Sequence, residues 1–86
     1  MELKNEKVLQ NLGRAIETQR RAAKLTQAAL AELAGVGPNY IRHLEAGKTT
    51  AHISKVLDVL SALGLQLKLE FGKEKIDVNI IIELSK

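Results

Sequence analysis

The segment from Thr26 to Lys48, TQAALAELAGVGPNYIRHLEAGK, restricts the fold of this chain more than any other. Two short apolar-patterned stretches flank AGVGPN, in which two glycines and the only proline lie within four positions. A loop that cradles phosphate needs glycines between a strand and a helix, and a P-loop also needs a Gly-Lys-Ser/Thr triplet. Here both flanks have helical spacing and no such triplet follows. The glycines are therefore expected to join two helices.

The spacing around these glycines is that of a helix-turn-helix, in which two helices cross steeply through a turn of about three to four residues. Counted from Gln27 as the first position, the fifth is Ala31, a small residue where the helices touch. The turn falls at residues 34–36, and Ile41 and Leu44 are the apolar inner positions of the second helix. A two-helix corner without a DNA function could meet much of this pattern. The completeness of the spacing favours the functional interpretation.

Capping residues predict where the two motif helices begin and end. Thr26 is the natural N-cap of the first helix because its hydroxyl can accept from exposed N–H groups. Gly35 suits a left-handed residue after that helix. Gly37 and Pro38 begin the second helix, since proline is well tolerated at the first helical position. Gly47 is expected to end it.

Two further helices are predicted on either side of the motif. Residues 6–22 carry an apolar stripe, and so do residues 52–63, which Gly64 closes. A spacing of three and four residues places each stripe on one helix face. The predicted helical core consists of Leu9, Leu12, Ile16, Leu30, Leu33, Ala34, Ile41, Leu44, Ile53, Val56, Leu57, Leu60 and Leu63.

After Gly64 the apolar period changes from helical to alternating. LQLKLEF predicts a strand over residues 65–71 with one buried face formed by Leu65, Leu67, Leu69 and Phe71. A lone strand is not stable, and its open edge invites aggregation. It could fold back as a hairpin on residues 76–82 across GKEK, or pair with the same strand of a second chain. We favour the second arrangement, with those four residues as the dimerisation face.

Dimerisation would also help a chain of this size. Eighty-six residues bury a small core, and a twofold dimer matches a palindromic DNA site. We therefore expect two regions: a DNA-binding domain over residues 1–64, and a dimerisation strand with an apolar tail over residues 65–86. The alternative use of the tail is to dock a protein partner.

Charge and composition exclude several function classes. Up to Thr26 there are six basic and three acidic residues, and this difference of three equals the net charge of +3. A basic first segment fits a polyanion partner but is weak support alone. The chain has no cysteine and only two histidines, His43 and His52, so no metal or cofactor is expected. No nucleophile lies near an orienting base, so we expect no enzyme. The absence of a long apolar run or a signal-peptide pattern favours a cytoplasmic protein.

The motif LTQAALAELAGVGPNYIRHLEAGK resembles the Xre, or lambda-repressor-like, helix-turn-helix family. The resemblance covers residues 9–63 and implies a mainly α, four-helix DNA-binding domain. Its matching positions are Leu25, Thr26, Gln27, Leu30, Ala31, Gly35, Val36, Ile41, Leu44, Glu45 and Gly47.

The continuation DVLSALGLQLKLEF resembles more narrowly the HipB-like antitoxins, which pair with HipA-type kinase toxins. That resemblance implies a homodimer joined through the C-terminal strand. In the wider family the residue at Glu45 pairs with a basic residue of the first helix, and Arg14 is the candidate. Gly37 and Pro38 depart from the family pattern, which usually has Ser or Thr and then a polar residue. One DNA contact and one helix cap are thereby lost.

The resemblance implies that the second motif helix enters the major groove of double-stranded DNA with its N-terminal residues at the base edges. Asn39, Arg42 and His43 lie on the outer face and are predicted to read bases, since Asn suits adenine and Arg suits guanine. Secondary or backbone contacts are predicted for Gln27, Tyr40, Lys48, Thr49 and Thr50. The alternative for each is an ordinary solvated side chain, and for Tyr40 a ring lying flat on the protein.

Three functions fit these features. The first is a dimeric antitoxin that represses its own operon and neutralises a HipA-like kinase. The second is a stand-alone repressor of the phage or restriction-control type. The third belongs to another class: a protein-interaction module that neutralises a toxin with little DNA binding.

Overall fold

The computed structural model describes residues 2–3, 6–48, 51–71 and 78–84, and the side chains within 6–48 and 51–68. The predicted fold class is confirmed, since four helices precede C-terminal strands. The bounds of the first helix and of the strand after Gly64 match the predicted ranges. In chain order the elements are β1 (Glu2–Leu3), α1 (Glu6–Ala22), α2 (Gln27–Ala34), α3 (Pro38–Ala46), β2 (Ala51–His52), α4 (Ile53–Ala62), β3 (Leu65–Phe71) and β4 (Val78–Leu84).

The turn between α2 and α3 has the predicted chemistry. The hydroxyl of Thr26 accepts from the N–H of Ala29 at 3.0 Å, which caps α2. Gly35 has φ +72°, and the next N–H, of Val36, donates to the carbonyl of Ala31 at 2.9 Å. Three residues therefore separate the two helices, which is the turn length of a helix-turn-helix.

The core lies between the four helices and the start of β3. Two predicted core residues are wrong: Leu33 is 63% exposed and Leu57 is 47% exposed. Packing of α4 uses residues one and two positions away, and Val59, which was not predicted, is fully buried. The buried apolar residues are Leu9, Leu12, Ile16, Leu30, Ala31, Ile41, Leu44, Ala51, Val56, Val59, Leu60, Leu63 and Leu65.

Helices α1 and α3 approach each other most closely at Gly13, a contact that sequence patterning did not indicate. A Cβ placed on Gly13 would lie 2.4 Å from the carbonyl oxygen of Leu44 and 2.6 Å from that of Glu45. Backbone atoms cannot rotate away as a side chain does. The absence of a side chain at Gly13 therefore sets the distance between α1 and the C-terminal end of α3.

The predicted strand pairs within its own chain. β3 and β4 are antiparallel, with Leu65 opposite Leu84 and Phe71 opposite Val78. The hairpin alternative is therefore the observed one, and the preference for pairing β3 with a second chain in its place is wrong. The physical reason is locality: a short connection over residues 72–77 keeps the entropic cost of closure small.

The apolar face of β3 serves the core of its own chain at the start of the strand. Leu65 is buried in the core and Leu67 packs against it, while the side chains of Leu69 and Phe71 lie outside the described residues. The second sheet was not predicted: β1 pairs antiparallel with β2, immediately before α4. This pairing connects the chain start to the segment that follows α3.

Candidate nucleic-acid interface

The outer face of α3 carries all three predicted base readers. Ile41 and Leu44 are buried in the core, so α3 packs through the face that the spacing predicted. Asn39, Arg42 and His43 are all exposed. The structure thus places an amide, a guanidinium and an imidazole on one accessible surface, each able to form hydrogen bonds to base edges. Their contact with DNA stays a prediction.

The opposite side of α3 is fixed by a buried polar network. Arg20 of α1 donates from Nε to Glu45 Oε2 at 2.6 Å and from Nη2 to Oε1 at 3.1 Å. Gln27 of α2 donates from Nε2 to Glu45 Oε1 at 3.0 Å. The two charged side chains are only 10% and 3% exposed. The hydrogen bond from Glu45 is the main cause that raises the pKa of Arg20 above its ordinary value. Glu45 therefore joins three helices.

This network corrects the predicted partner of Glu45, because Arg14 is exposed and Arg20 takes its place. Arg20 follows Gly13 by seven residues and Ile16 by four, so it lies on the buried stripe of α1. Arg14 lies one position away from that stripe. The signal was present in the sequence, as a basic residue at an apolar position of the helical period.

Gln27 has one amide hydrogen committed to this network. Its side chain is half-buried at the start of α2, and a primary amide has two N–H donors. One donor is left for a phosphate oxygen. The predicted DNA contact of Gln27 is therefore compatible with its role inside the protein, and the network would orient it.

Tyr40 is held differently from its neighbours on α3. Its side chain is half-buried against the core, and its hydroxyl is buried without a hydrogen-bond partner among the described residues. Burial raises the pKa of Tyr40 above its ordinary value. The ammonium of Lys55, on α4, lies 5.5 Å from the ring centroid. This geometry fits the ring lying flat on the protein, and a phosphate bond from its hydroxyl would require the side chain to rotate.

The other predicted backbone contacts are only partly described. Lys48 is exposed directly after α3, whereas Thr49 and Thr50 lie outside the described residues. Arg14, Arg21 and Lys24 are exposed, and Arg21 forms an ion pair with Glu17 at 3.2 Å. These groups add positive charge around the motif.

Two further findings concern the part of the chain that the structure describes. None of its helices is both long and apolar enough to cross a membrane. It also contains no cluster of three acidic, histidine or cysteine side chains arranged to hold a metal ion.

Comparison with known proteins places this geometry in a family. A family model described as a helix-turn-helix domain matches residues 11–70. The uncharacterized HTH-type transcriptional regulator y4mF of Sinorhizobium fredii is 46% identical over 57 residues, which are 66% of this chain and 75% of that protein. The restriction-modification controller protein C.AhdI from Aeromonas hydrophila has a similar structure, with a TM-score of 0.65 and 26% identity. That similarity covers 71% of this chain and 88% of C.AhdI.

The matched residues contain the whole of α2, α3 and α4, and with them the exposed face of α3 and Glu45. The matched family is one of transcriptional regulators and is not a catalytic domain. Assignment to the narrower HipB-like subgroup stays a prediction. The extent of the match shows that this chain belongs to the helix-turn-helix domain family and is a DNA-binding transcriptional regulator.

Proposed function

We propose that this chain is a sequence-specific repressor that binds a palindromic operator as a homodimer. The observation that carries the proposal is the contrast between the two faces of α3. Its inner face is fixed by buried Ile41, Leu44 and Glu45, while Asn39, Arg42 and His43 are free on the outer face. A rigid helix with exposed polar groups near its start can place those groups in the major groove.

The dimer rests on the architecture of β3. Within the chain β3 pairs with β4 along one edge, and each strand of a two-stranded sheet has a second edge. Pairing of β3 with its counterpart across a twofold axis would form one sheet through both protomers. Two recognition helices would then lie about 34 Å apart, which is one turn of DNA. Light scattering at micromolar concentration should give the mass of a dimer, and the mass of a single chain would refute this arrangement.

We further propose that the repressor is the antitoxin of a toxin–antitoxin operon and that it autoregulates this operon in the cytoplasm. The support is the position of β3, which starts two residues after α4 ends, as in the HipB-like pattern. Its partner would be a HipA-like kinase toxin. A reading frame for a kinase-like protein beside this gene, and a complex of the two proteins in size-exclusion chromatography, are the expected results.

A second candidate is a controller of restriction–modification genes. One observation favours it, namely the structural similarity to C.AhdI over most of both chains. The two candidates share the same DNA surface and differ in the neighbouring gene and in the presence of a protein partner. An interaction module with little DNA binding would show a DNA affinity that is weak and not selective.

The test is selection of bound duplexes from a random DNA pool. We expect a palindromic sequence with half-sites one helical turn apart. The double variant Asn39→Ala with His43→Ala should lose preference for the selected duplex over a scrambled one, because single base contacts contribute about 1–3 kcal/mol each. Asn11→Ala with Ser61→Ala, two exposed residues outside α3, is the matched control. Equal preference in both double variants would contradict the assignment of base readers.

A further inference from the structure

We infer that Lys55, whose ammonium lies over the ring of Tyr40, binds a phosphate of the DNA backbone at the edge of the groove that α3 enters. This inference rests on the proposed DNA-binding function and adds a contact that the motif does not contain. Tyr40 acts in it as a positioning residue.

The first step of the argument is the state of the Lys55 charge. Lys55 is exposed in the first turn of α4, and its Nζ lies 5.5 Å from the ring centroid of Tyr40. No described carboxylate, including that of Asp58 one turn further along α4, lies within ion-pair distance of it. A cation within about 6 Å of an aromatic face is attracted by the ring. The ammonium is therefore held in place while its charge stays uncompensated.

The second step is its position beside the recognition helix. Tyr40 is the third residue of α3 and directly follows Asn39, so its ring fixes Lys55 at the N-terminal flank of that helix. An α-helix with side chains is about 10–12 Å wide, and the major groove is about 12 Å wide. Groups on the flank of an inserted helix therefore meet the sugar–phosphate backbone rather than the base edges. A compact ammonium suits a phosphate there, as a contact that positions the protein without reading sequence.

The third step concerns the ring itself. The hydroxyl of Tyr40 is buried with no partner among the described residues, and the side chain packs against the core. Packing rather than hydrogen bonding thus holds the ring. Its face is what Lys55 meets, so phenylalanine should serve as well as tyrosine, whereas an aliphatic side chain should not.

The experiment measures DNA affinity over a salt series with two duplexes, the one selected by the wild-type protein and a scrambled duplex of equal composition. Lys55→Gln should weaken binding to both duplexes by the same factor. One lost phosphate contact per protomer lowers the salt slope by about 0.9, which corresponds to about threefold in affinity between 50 and 200 mM salt. Lys7→Gln, at an exposed lysine in the first turn of α1, is the charge-matched control and should leave the slope unchanged.

Tyr40 variants test the positioning role. Tyr40→Leu should lower the salt slope as Lys55→Gln does, Tyr40→Phe should restore it, and the Tyr40→Leu/Lys55→Gln double variant should lose no more than Lys55→Gln alone. Circular dichroism checks that each variant is folded, and the Lys55→Gln result stands by itself if Tyr40→Leu is not. A Lys55→Gln slope equal to that of Lys7→Gln would overturn the inference while the proposed function stands. A wild-type protein that binds neither duplex would overturn both.

Discussion

The two motif helices end in the same way but begin differently. α2 and α3 have eight and nine residues, and each is followed by a left-handed glycine, Gly35 and Gly47. At its start α2 has the side-chain cap of Thr26, whereas Gly37 provides none for α3. α2 therefore has a capping signal at both ends, and α3 has one only at its C-terminal end.

The difference shows how α3 is held in the domain. Its C-terminal half contacts α1 at Gly13 and forms the hydrogen bonds of Glu45 to Arg20 and Gln27. Tertiary contacts far from the base-reading residues thus supply what capping does not. A recognition helix fixed from behind keeps its outer face free for DNA, and four substitutions test this division between α2 and α3.

The largest effect is expected for Glu45→Ala. The change leaves the guanidinium of Arg20 buried without its carboxylate, and breaking a buried pair from one side costs about 3–5 kcal/mol of unfolding free energy. Urea denaturation followed by circular dichroism measures it. Glu17→Ala is the matched control, because the Glu17–Arg21 pair is exposed and such pairs contribute about 0–1 kcal/mol. Equal losses for both variants would mean that the network does not hold α3.

Gly13→Ala should have the next largest effect. The new methyl group would overlap two backbone carbonyl oxygens of α3, and overpacking of this kind costs about 1–3 kcal/mol. The higher helix propensity of alanine, worth about 1 kcal/mol, offsets part of that cost. Thermal unfolding gives the net sign. A variant more stable than the wild-type protein would show that α1 does not set the position of α3.

Thr26→Ala tests the local signal of α2. Loss of the hydroxyl that accepts from Ala29 should cost about 1 kcal/mol. Amide hydrogen exchange should show faster opening in the first turn of α2 and little change in α3. A uniform change across both helices would contradict the view that the cap acts on α2 alone.

The smallest effect, a gain, is expected for Gly37→Ser. A Cβ at Gly37 meets no atom within 4 Å, and its φ of −78° is open to any residue. A serine hydroxyl could then cap α3, and Ser at the N-cap is better than Gly by only a few tenths of a kcal/mol, about 0.3. A gain above about 1 kcal/mol in urea denaturation would show that the start of α3 limits the stability of the domain.

Local features of the sequence predicted most of the fold and the accessible face of the site. The apolar period gave the bounds of α1 and β3, and capping gave the ends of α2 and the left-handed Gly47, because each depends on residues a few positions apart. The buried spacing of Ile41 and Leu44 was sufficient to turn Asn39, Arg42 and His43 toward solvent.

Tertiary structure decided what depends on how elements cross. Arg20 and Glu45 are 25 positions apart, and only the crossing of α1 and α3 selects Arg20 over Arg14. The same crossing makes Gly13 necessary, and the packing of α4 buries Val59 and exposes Leu57. Lys55 meets Tyr40 for the same reason. Residue spacing fixes the faces of each helix, but the rotation and separation of two helices follow from packing of all their side chains together.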